Sequence, residues 1–289
     1  MKIAVTGAGG FVGKRFMVYN QSRFELVPVS LREQSPTAVN LQGVTTLVHL
    51  AGKAHEMGTI SDQVYFDINY ELTRQLADRA RQQGVRQFVY ISSVKVYGDH
   101  IHGVLNEQSP CIPTDAYGAS KLKAEQYLQS INDPAFTIAI VRPPLVYGPE
   151  VKGNTIRLLQ LADKNWPLPL GRCGNARSMV FVDNLIELIN TIITRQAAGV
   201  FVAGDSAPLS TDELIMQMRK YLGNSKGLVS IPGIVRTVMK KLKPALYTRL
   251  FGSFVVSNQA TNRQLDFFPP YTTAQGIEQM VHWYKNDLK

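Results

Sequence analysis

Lys2-Ile3-Ala4-Val5-Thr6-Gly7-Ala8-Gly9-Gly10-Phe11-Val12-Gly13 runs an apolar, strand-like segment into a glycine cluster, followed by a helical pattern. This is the context of a pyrophosphate-binding turn: backbone N–H groups at a helix N-terminus point at the ligand, and the helix dipole favours its negative charge. Gly7, Gly10 and Gly13 fit the spacing G-x-x-G-x-x-G, whereas G-x-G-x-x-G would require glycine where Val12 stands. Each glycine has a separate expected task. Gly7 makes the tight turn, Gly10 lets the backbone approach a diphosphate, and Gly13 allows the helix to pack closely on the strand.

Outward from this turn, short β-branched runs alternate with longer helical patterns, the order that builds a parallel sheet with crossover helices on both faces. The expected strands are 2–6, 25–31, 46–50, 87–92 and 137–142. Val64, Ile68, Leu72, Leu76 and Ala80 recur every fourth residue, which predicts a helix over 61–83 that Gly84 terminates. After Arg142 the chain becomes rich in Pro and Gly, then offers a strand at 178–182 and a helix at 183–194. The expected fold is α/β: a Rossmann-type doubly wound parallel sheet with a smaller mixed C-terminal part that binds substrate. The expected division is a dinucleotide-binding domain, 1–142, and a substrate-binding part, 143–289, with a segment near 178–204 returning to the sheet domain.

Composition narrows the function classes. The 289 residues include 31 Lys plus Arg against 22 Asp plus Glu, a formal charge of +9, and 45% are apolar, which excludes intrinsic disorder. No apolar run approaches the roughly 18 residues of a membrane span. The short strand-like start lacks the apolar stretch of a secretory signal, so a cytoplasmic location is expected. Cys111 and Cys173 are far apart and outside any C-x-x-C arrangement, and His49, His55, His100, His102 and His282 form no known ligand pattern. No metal is expected. Nucleic-acid binding has the charge but none of the motifs.

The residues that move protons stand further along. Tyr117-Gly118-Ala119-Ser120-Lys121 opens a helix, and the i, i+4 spacing puts Tyr117 and Lys121 on one face. An ammonium near a phenol favours the phenolate and makes Tyr117 usable as an acid or base. Lys121 is also expected to reach a nicotinamide ribose. Ser93 closes the strand Tyr90-Ile91-Ser92 at the sheet edge where ligands of open α/β folds bind. At the end of the second strand, where an acid often receives the adenosine ribose, the chain reads Val29-Ser30-Leu31-Arg32-Glu33. Arg32 can pair with a 2′-phosphate and leans the cofactor towards NADP, with NAD still open.

The Gly turn, the Tyr117/Lys121 pair and several further stretches together resemble the extended short-chain dehydrogenase/reductases of the NAD-dependent epimerase/dehydratase family. Those stretches are 47–52 (LVHLAG), the helix carrying Asn69, 92–98 (SSVKVYG) and 142–149 (RPPLVYGP). The resemblance covers nearly the whole chain. It implies that Phe11, Val12, Leu50, Ala51, Gly52 and Pro144 line the cofactor together with the glycines, and that Ser93, Tyr117 and Lys121 are catalytic. It also implies that Leu145 lies by the substrate, that Asn154, Arg177 and Arg249 hold its diphosphate, and that a homodimer forms through helices 61–83 and 116–130.

Residues after Ser93 separate the family's reactions. Sugar 4,6-dehydratases of this family carry an acidic pair there and the epimerase-reductases a cysteine; Val94 and Lys95 match neither. What the resemblance leaves is UDP-hexose or UDP-N-acetylhexosamine 4-epimerisation in surface-polysaccharide (O-antigen) precursor synthesis, or reduction of a UDP-4-keto-6-deoxy-N-acetylhexosamine. A non-catalytic dinucleotide sensor is the reading of another class. Many 4-epimerases have Asn where Leu145 stands, which removes a polar contact. From Leu214 to Leu265 the chain has nine cations, Arg219, Lys220, Lys226, Arg236, Lys240, Lys241, Lys243, Arg249 and Arg263, and no acid. Residues 234–251 interleave them with apolar positions, a pattern open to three readings: a solvated face, a field that steers UDP, or peripheral contact with anionic lipid.

Overall fold

A computed structural model of the chain describes residues 1–54, 61–99 and 103–288. It divides into two compact units: Met1–Pro144 with Leu185–Ala203 and Ser257–Phe268, and Leu145–Asn184 with Gly204–Val256 and Pro269–Lys289.

The first unit is built on six parallel strands: β1 (Lys2–Thr6), β2 (Glu25–Val29), β3 (Thr46–His49), β4 (Gln87–Ile91), β5 (Thr137–Arg142) and β6 (Gly199–Val202). Their order is β6-β5-β4-β3-β1-β2. The chain steps from β1 to β2 on one side and then to β3 on the other, so the direction of winding reverses between β1 and β3, the place where doubly wound sheets bind ligands. Ile3, Ala4, Val5, Leu47, Val48, Phe88, Val89, Tyr90, Ala139 and Val141 are buried, as a sheet covered on both faces requires. Three strands end one or two residues before the sequence pattern does. Thr6 pairs with Val29 as the last register partner of β2, and Gly7 then turns with φ +70°, so Ser30 and Leu31 have no strand beside them.

Helix α1 (Phe11–Asn20) follows β1 directly. The predicted helix over 61–83 is present but not regular. Ser61 caps Asp62–Tyr65, a π-helical stretch runs through Phe66–Glu71, and α2 (Leu72–Gln82) completes it. Repetition every fourth residue fits both hydrogen-bond patterns, so the bulge is invisible in the spacing. Helix α3 (Ala116–Ser130) is capped by Asp115, which accepts from the Gly118 N–H at 2.7 Å.

A buried ion pair fastens α3 to the sheet. Arg142, at the end of β5, donates through Nη2 to Glu125 Oε2 at 2.6 Å and through Nη1 to the Tyr97 hydroxyl at 3.0 Å. Both side chains of the pair are at least nine-tenths buried, and the second Glu125 oxygen accepts from the Ser92 hydroxyl.

In the second unit, the strands Leu145–Tyr147 and Met179–Phe181 pair in parallel, as do Leu168–Gly171 and Leu228–Ser230. Asp205 organises the first pair, accepting from the Tyr147 hydroxyl at 2.6 Å, Asn184 Nδ2 at 2.8 Å and the Phe181 N–H at 3.1 Å. Arg219 is fully buried, its guanidinium donating to the carbonyls of Ala162, Lys164, Trp166 and Gly227 at 2.8–3.2 Å. That cation therefore belongs to the core and not to the exposed charge of 214–265. No described helix is long and apolar enough to cross a membrane.

Removing one partner of a buried ion pair strands the other. Glu125→Ala is expected to lower stability by about 3–5 kcal/mol, read as a shift in the urea unfolding midpoint; a loss below about 1 kcal/mol would contradict the role given to the pair.

Candidate active site

The glycine turn has the shape that a diphosphate needs. A Cβ on Gly7 would meet the Ala51 backbone nitrogen at 2.6 Å, and one on Gly13 would meet the Gly7 carbonyl oxygen at 2.0 Å, so both positions exclude any side chain. Gly10 precedes α1 with no side chain capping the helix, and its own N–H donates to Gly7 O at 2.9 Å. The first turn of α1 is thus a compact backbone cradle without a carboxylate or hydroxyl in it, which fits a dinucleotide diphosphate. Phe11 and Val12 lie half-buried in that turn, and Leu50, Ala51 and Gly52 leave β3 beside it. Thr6 couples the two edges: its hydroxyl accepts from the Ala51 N–H at 3.2 Å and meets His49 Nδ1 at 2.6 Å. His49 also bonds Thr73 at 2.9 Å and stacks on Tyr90; burial, and then the Lys121 charge, lower its pKa to about 3, so it is a neutral structural link.

At the neighbouring strand end, α3 presents Tyr117, Lys121 and Glu125 at i, i+4 and i+8, one stripe of one face. The stripe meets three consecutive residues. Lys121 Nζ donates to the Ile91 carbonyl at 2.9 Å, Ser92 donates to Glu125, and the Tyr117 hydroxyl shares a side-chain hydrogen bond with Ser93. Ser93 itself caps the turn Val94–Tyr97, accepting from the Lys95 N–H at 3.2 Å. Gly118 permits this approach, since a Cβ there would meet the Lys95 carbonyl oxygen at 2.5 Å.

The electrostatics differ from the sequence expectation in one respect. Burial raises the Tyr117 phenol above its ordinary value, and the counterweight is its hydrogen bond with Ser93. The Lys121 ammonium is aimed elsewhere, at Ile91 O and over the Tyr90 ring at 4.7 Å from the centroid. Burial lowers Lys121 to about 8, with the Glu125 charge acting in the opposite direction. It is therefore a lysine that can change protonation near neutral pH.

Asn69, inside the π-helical stretch, is a positioning residue that spacing did not single out as part of a site. Buried to 1% exposure, it donates to Ser120 Oγ and to Lys53 O at 3.1 Å each and accepts from the Lys53 N–H at 2.8 Å. It thereby ties the segment after Gly52 to α3. A π-bulge at such a place is typical of functional sites, because it redirects one side chain without ending the helix. Glu125 was missed as well; its signal was the same i, i+4 step beyond Lys121.

The other expected residues are dispersed. Arg32 is exposed in a turn three residues past β2, and Pro144 is buried just after β5. In the second unit, Leu145 is 45% exposed at the start of its strand, and Asn154 is exposed as the first residue of the helix Asn154–Ala162. Arg177 donates through Nε to Gly252 O at 2.9 Å and through Nη2 to Thr248 O at 3.0 Å. The side chain of Arg249 lies outside what the structure describes, as do His55, His100 and His102. Cys111 and Cys173 are free thiols, and the described residues contain no metal-binding group of His, Cys, Asp or Glu.

A family model described as "NAD dependent epimerase/dehydratase family" matches residues 3–204. The chain belongs to the NAD dependent epimerase/dehydratase family. It is an enzyme of the extended short-chain dehydrogenase/reductase class within it. Among curated family relatives, a UDP-glucose 4-epimerase of Vibrio cholerae is 33% identical over 250 residues, which span 83% of this chain and 76% of that protein. An N-acetyl-α-D-glucosaminyl-diphospho-ditrans,octacis-undecaprenol 4-epimerase of Escherichia coli O157:H7 is 28% identical over 326 residues, 99% of this chain and 97% of the other. Among solved structures, the UDP-glucuronic acid 4-epimerase of Bacillus cereus in complex with NAD superposes with a TM-score of 0.79 over 100% of both chains at 21% identity, a likeness of fold.

The lowered Lys121 gives a stability prediction whose sign can be worked out. Below pH 8 the folded chain bears the full cost of a buried charge; between about 8 and 10.5 the unfolded chain holds a proton that the folded chain has released, so wild-type stability rises with pH. Lys121→Met is therefore expected to be more stable than wild type at pH 7 by about 2–3 kcal/mol. That advantage should shrink across the same pH interval in denaturant titrations of both proteins; a variant less stable at pH 7 would contradict the assignment.

Proposed function

We propose that the chain is a nucleotide-sugar 4-epimerase that uses bound NAD and acts on a UDP-hexose or UDP-N-acetylhexosamine. The observation that carries this is the convergence of Ser93, Tyr117 and Lys121 at the end of β4, in the same unit as a glycine cradle that admits no side chain at Gly7 or Gly13. In this reading Gly7, Gly10 and Gly13, with the backbone at Phe11 and Val12, hold the dinucleotide diphosphate. Leu50, Ala51, Gly52 and Pro144 line the remainder. Lys121 binds the nicotinamide ribose.

A nicotinamide bound there supplies a hydride acceptor and donor for the sugar carbon. The chain's own part is proton movement and orientation. Tyr117 takes the proton of the C4 hydroxyl as that carbon is oxidised and returns one as it is reduced on its other face. Ser93 shares a hydrogen bond with the phenol and orients the C4 oxygen between two hydroxyls. A carbon acid needs a base beside it for dehydration, and Val94 and Lys95 offer neither a carboxylate nor a thiol. Leu145, Asn154 and Arg177 are assigned to the sugar and its diphosphate.

The Vibrio relative is named for a UDP sugar and the E. coli relative for a sugar on undecaprenyl diphosphate. A diphosphate beside the sugar is common to both, and the UDP form is the one proposed. One observation supports a second reading. Arg32 is exposed after β2, and an arginine there would pair with a 2′-phosphate, which suits a one-way NADPH-dependent reduction of a 4-keto sugar.

The test is to incubate purified protein, without added nicotinamide, with UDP-glucose and with UDP-N-acetylglucosamine and to follow the sugar protons by NMR. The galacto epimer is expected. A protein that converts neither sugar, yet consumes NADPH on a UDP-4-keto-6-deoxy sugar, is the reductase and overturns the epimerase reading. Tyr117→Phe is expected to lower kcat by about 10²–10⁴ with nucleotide-sugar binding nearly intact; full activity would sink the assignment of the phenol.

A further inference from the structure

Surface helices of globular proteins normally turn their apolar stripe inward. The helix Gly233–Leu242 does the reverse. Ile234, Val238 and Leu242 recur at i, i+4 and i+8 and are 80%, 48% and 76% exposed. The opposite side is held by a cation: Arg236 Nη2 donates to Arg172 O at 2.7 Å and to Gly171 O at 3.2 Å, and the guanidinium lies 4.9 Å from the Phe251 ring centroid. Arg236 thus ties the helix to its unit, and the stripe Ile234, Val238 and Leu242 is directed to solvent.

What surrounds that face identifies its partner. Lys240, Lys241 and Lys243 are exposed at the C-terminal end of the helix; Lys241 falls next to Ile234 and Val238 on the helical wheel, whereas Lys240 lies on the Arg236 side with its ammonium 5.9 Å from the Tyr247 ring centroid. No Asp or Glu occurs anywhere from Leu214 to Leu265, so no residue of that stretch neutralises them. Val229, 55% exposed on the strand that leads into the helix, adds to the apolar surface of the same segment. An apolar ridge bordered by lysines matches a surface that is anionic outside and hydrocarbon beneath. A protein partner would need a complementary apolar groove rimmed with acids, whereas a bilayer of acidic lipid offers both properties at once.

We propose that the helix Gly233–Leu242 docks the protein on an anionic lipid bilayer, with Ile234, Val238 and Leu242 inserted among the acyl chains and Lys241 and Lys243 at the headgroups. The docking is peripheral and reversible, since one short helix buries little apolar area. It is independent of which reaction the active site performs.

The experiment is co-sedimentation of the full-length protein with vesicles of phosphatidylcholine alone and of phosphatidylcholine with phosphatidylglycerol. Binding to the anionic vesicles should exceed binding to the neutral ones by about tenfold or more and weaken as salt is raised. Ile234→Asp with Leu242→Asp should reduce it by about tenfold or more, with the rate on a soluble nucleotide sugar unchanged, which also shows that the variant folds. Lys241→Glu with Lys243→Glu should do the same through charge. Equal partition onto both vesicle types, or full binding by the Asp variant, would overturn the proposal. So would an absence of vesicle binding by a wild type whose self-association in sedimentation is lost in the Asp variant, because the face would then be an interface between copies.

Discussion

Three side chains one helical turn apart on α3, Tyr117, Lys121 and Glu125, grip three consecutive residues at the end of β4, Ser93, Ile91 and Ser92. The local geometry of the site depends on that grip. Glu125 is itself held by Arg142 from β5, so the position of the phenol is set by two adjacent strands and not by the helix alone. The cost is a buried ammonium. Among the described residues Lys121 has a carbonyl and an aromatic face as direct partners, and burial lowers its pKa to about 8 against the charge of Glu125. A structural lysine would sit in water or in a carboxylate pair; one kept in this state trades stability for a charge that is ready to act.

The parallel sheet and its glycine turn were legible because both rest on local rules: alternation of β-branched strands with periodic helices, and glycine where no Cβ fits. Strand ends were less so. Leu50 and Ser92 still donate to Thr6 and Val141 carbonyls, yet lie beyond the last register pairs, a distinction made by the neighbouring strand and not by the residues themselves. Tyr117 and Lys121 could be read from their spacing. Glu125 continues the same i, i+4 spacing, but its value comes from Arg142, seventeen residues away in sequence and on another element, which spacing does not show. Asn69 was hidden for a similar reason: its role depends on a π-helical stretch that a spacing of four does not reveal.

Charge was the property that sequence described least well. Nine cations without an acid read as one local excess of positive charge, but Arg219 is buried among carbonyls and Arg236 turns back onto its own unit. Arg177 likewise meets the carbonyls of Thr248 and Gly252, orienting the segment that carries Arg249. Of the exposed lysines, Lys241 borders the apolar ridge of Gly233–Leu242, whereas Lys220 and Lys226 lie on the preceding helix and loop. Burial and orientation, which a linear count cannot supply, convert the same residues from a diffuse field into separate structural and surface roles.

The proposed reaction is oxidation and re-reduction of one sugar carbon, with the Tyr117 phenol moving the proton of the oxygen and Ser93 beside it. The most direct measurement is the fate of deuterium placed at C4 of the UDP sugar, followed through conversion by mass spectrometry and NMR. The account predicts that the epimer carries the label at C4, with no entry of solvent hydrogen at that carbon. Loss of the label to solvent during epimerisation would mean that C4 exchanges as a proton, and would contradict it.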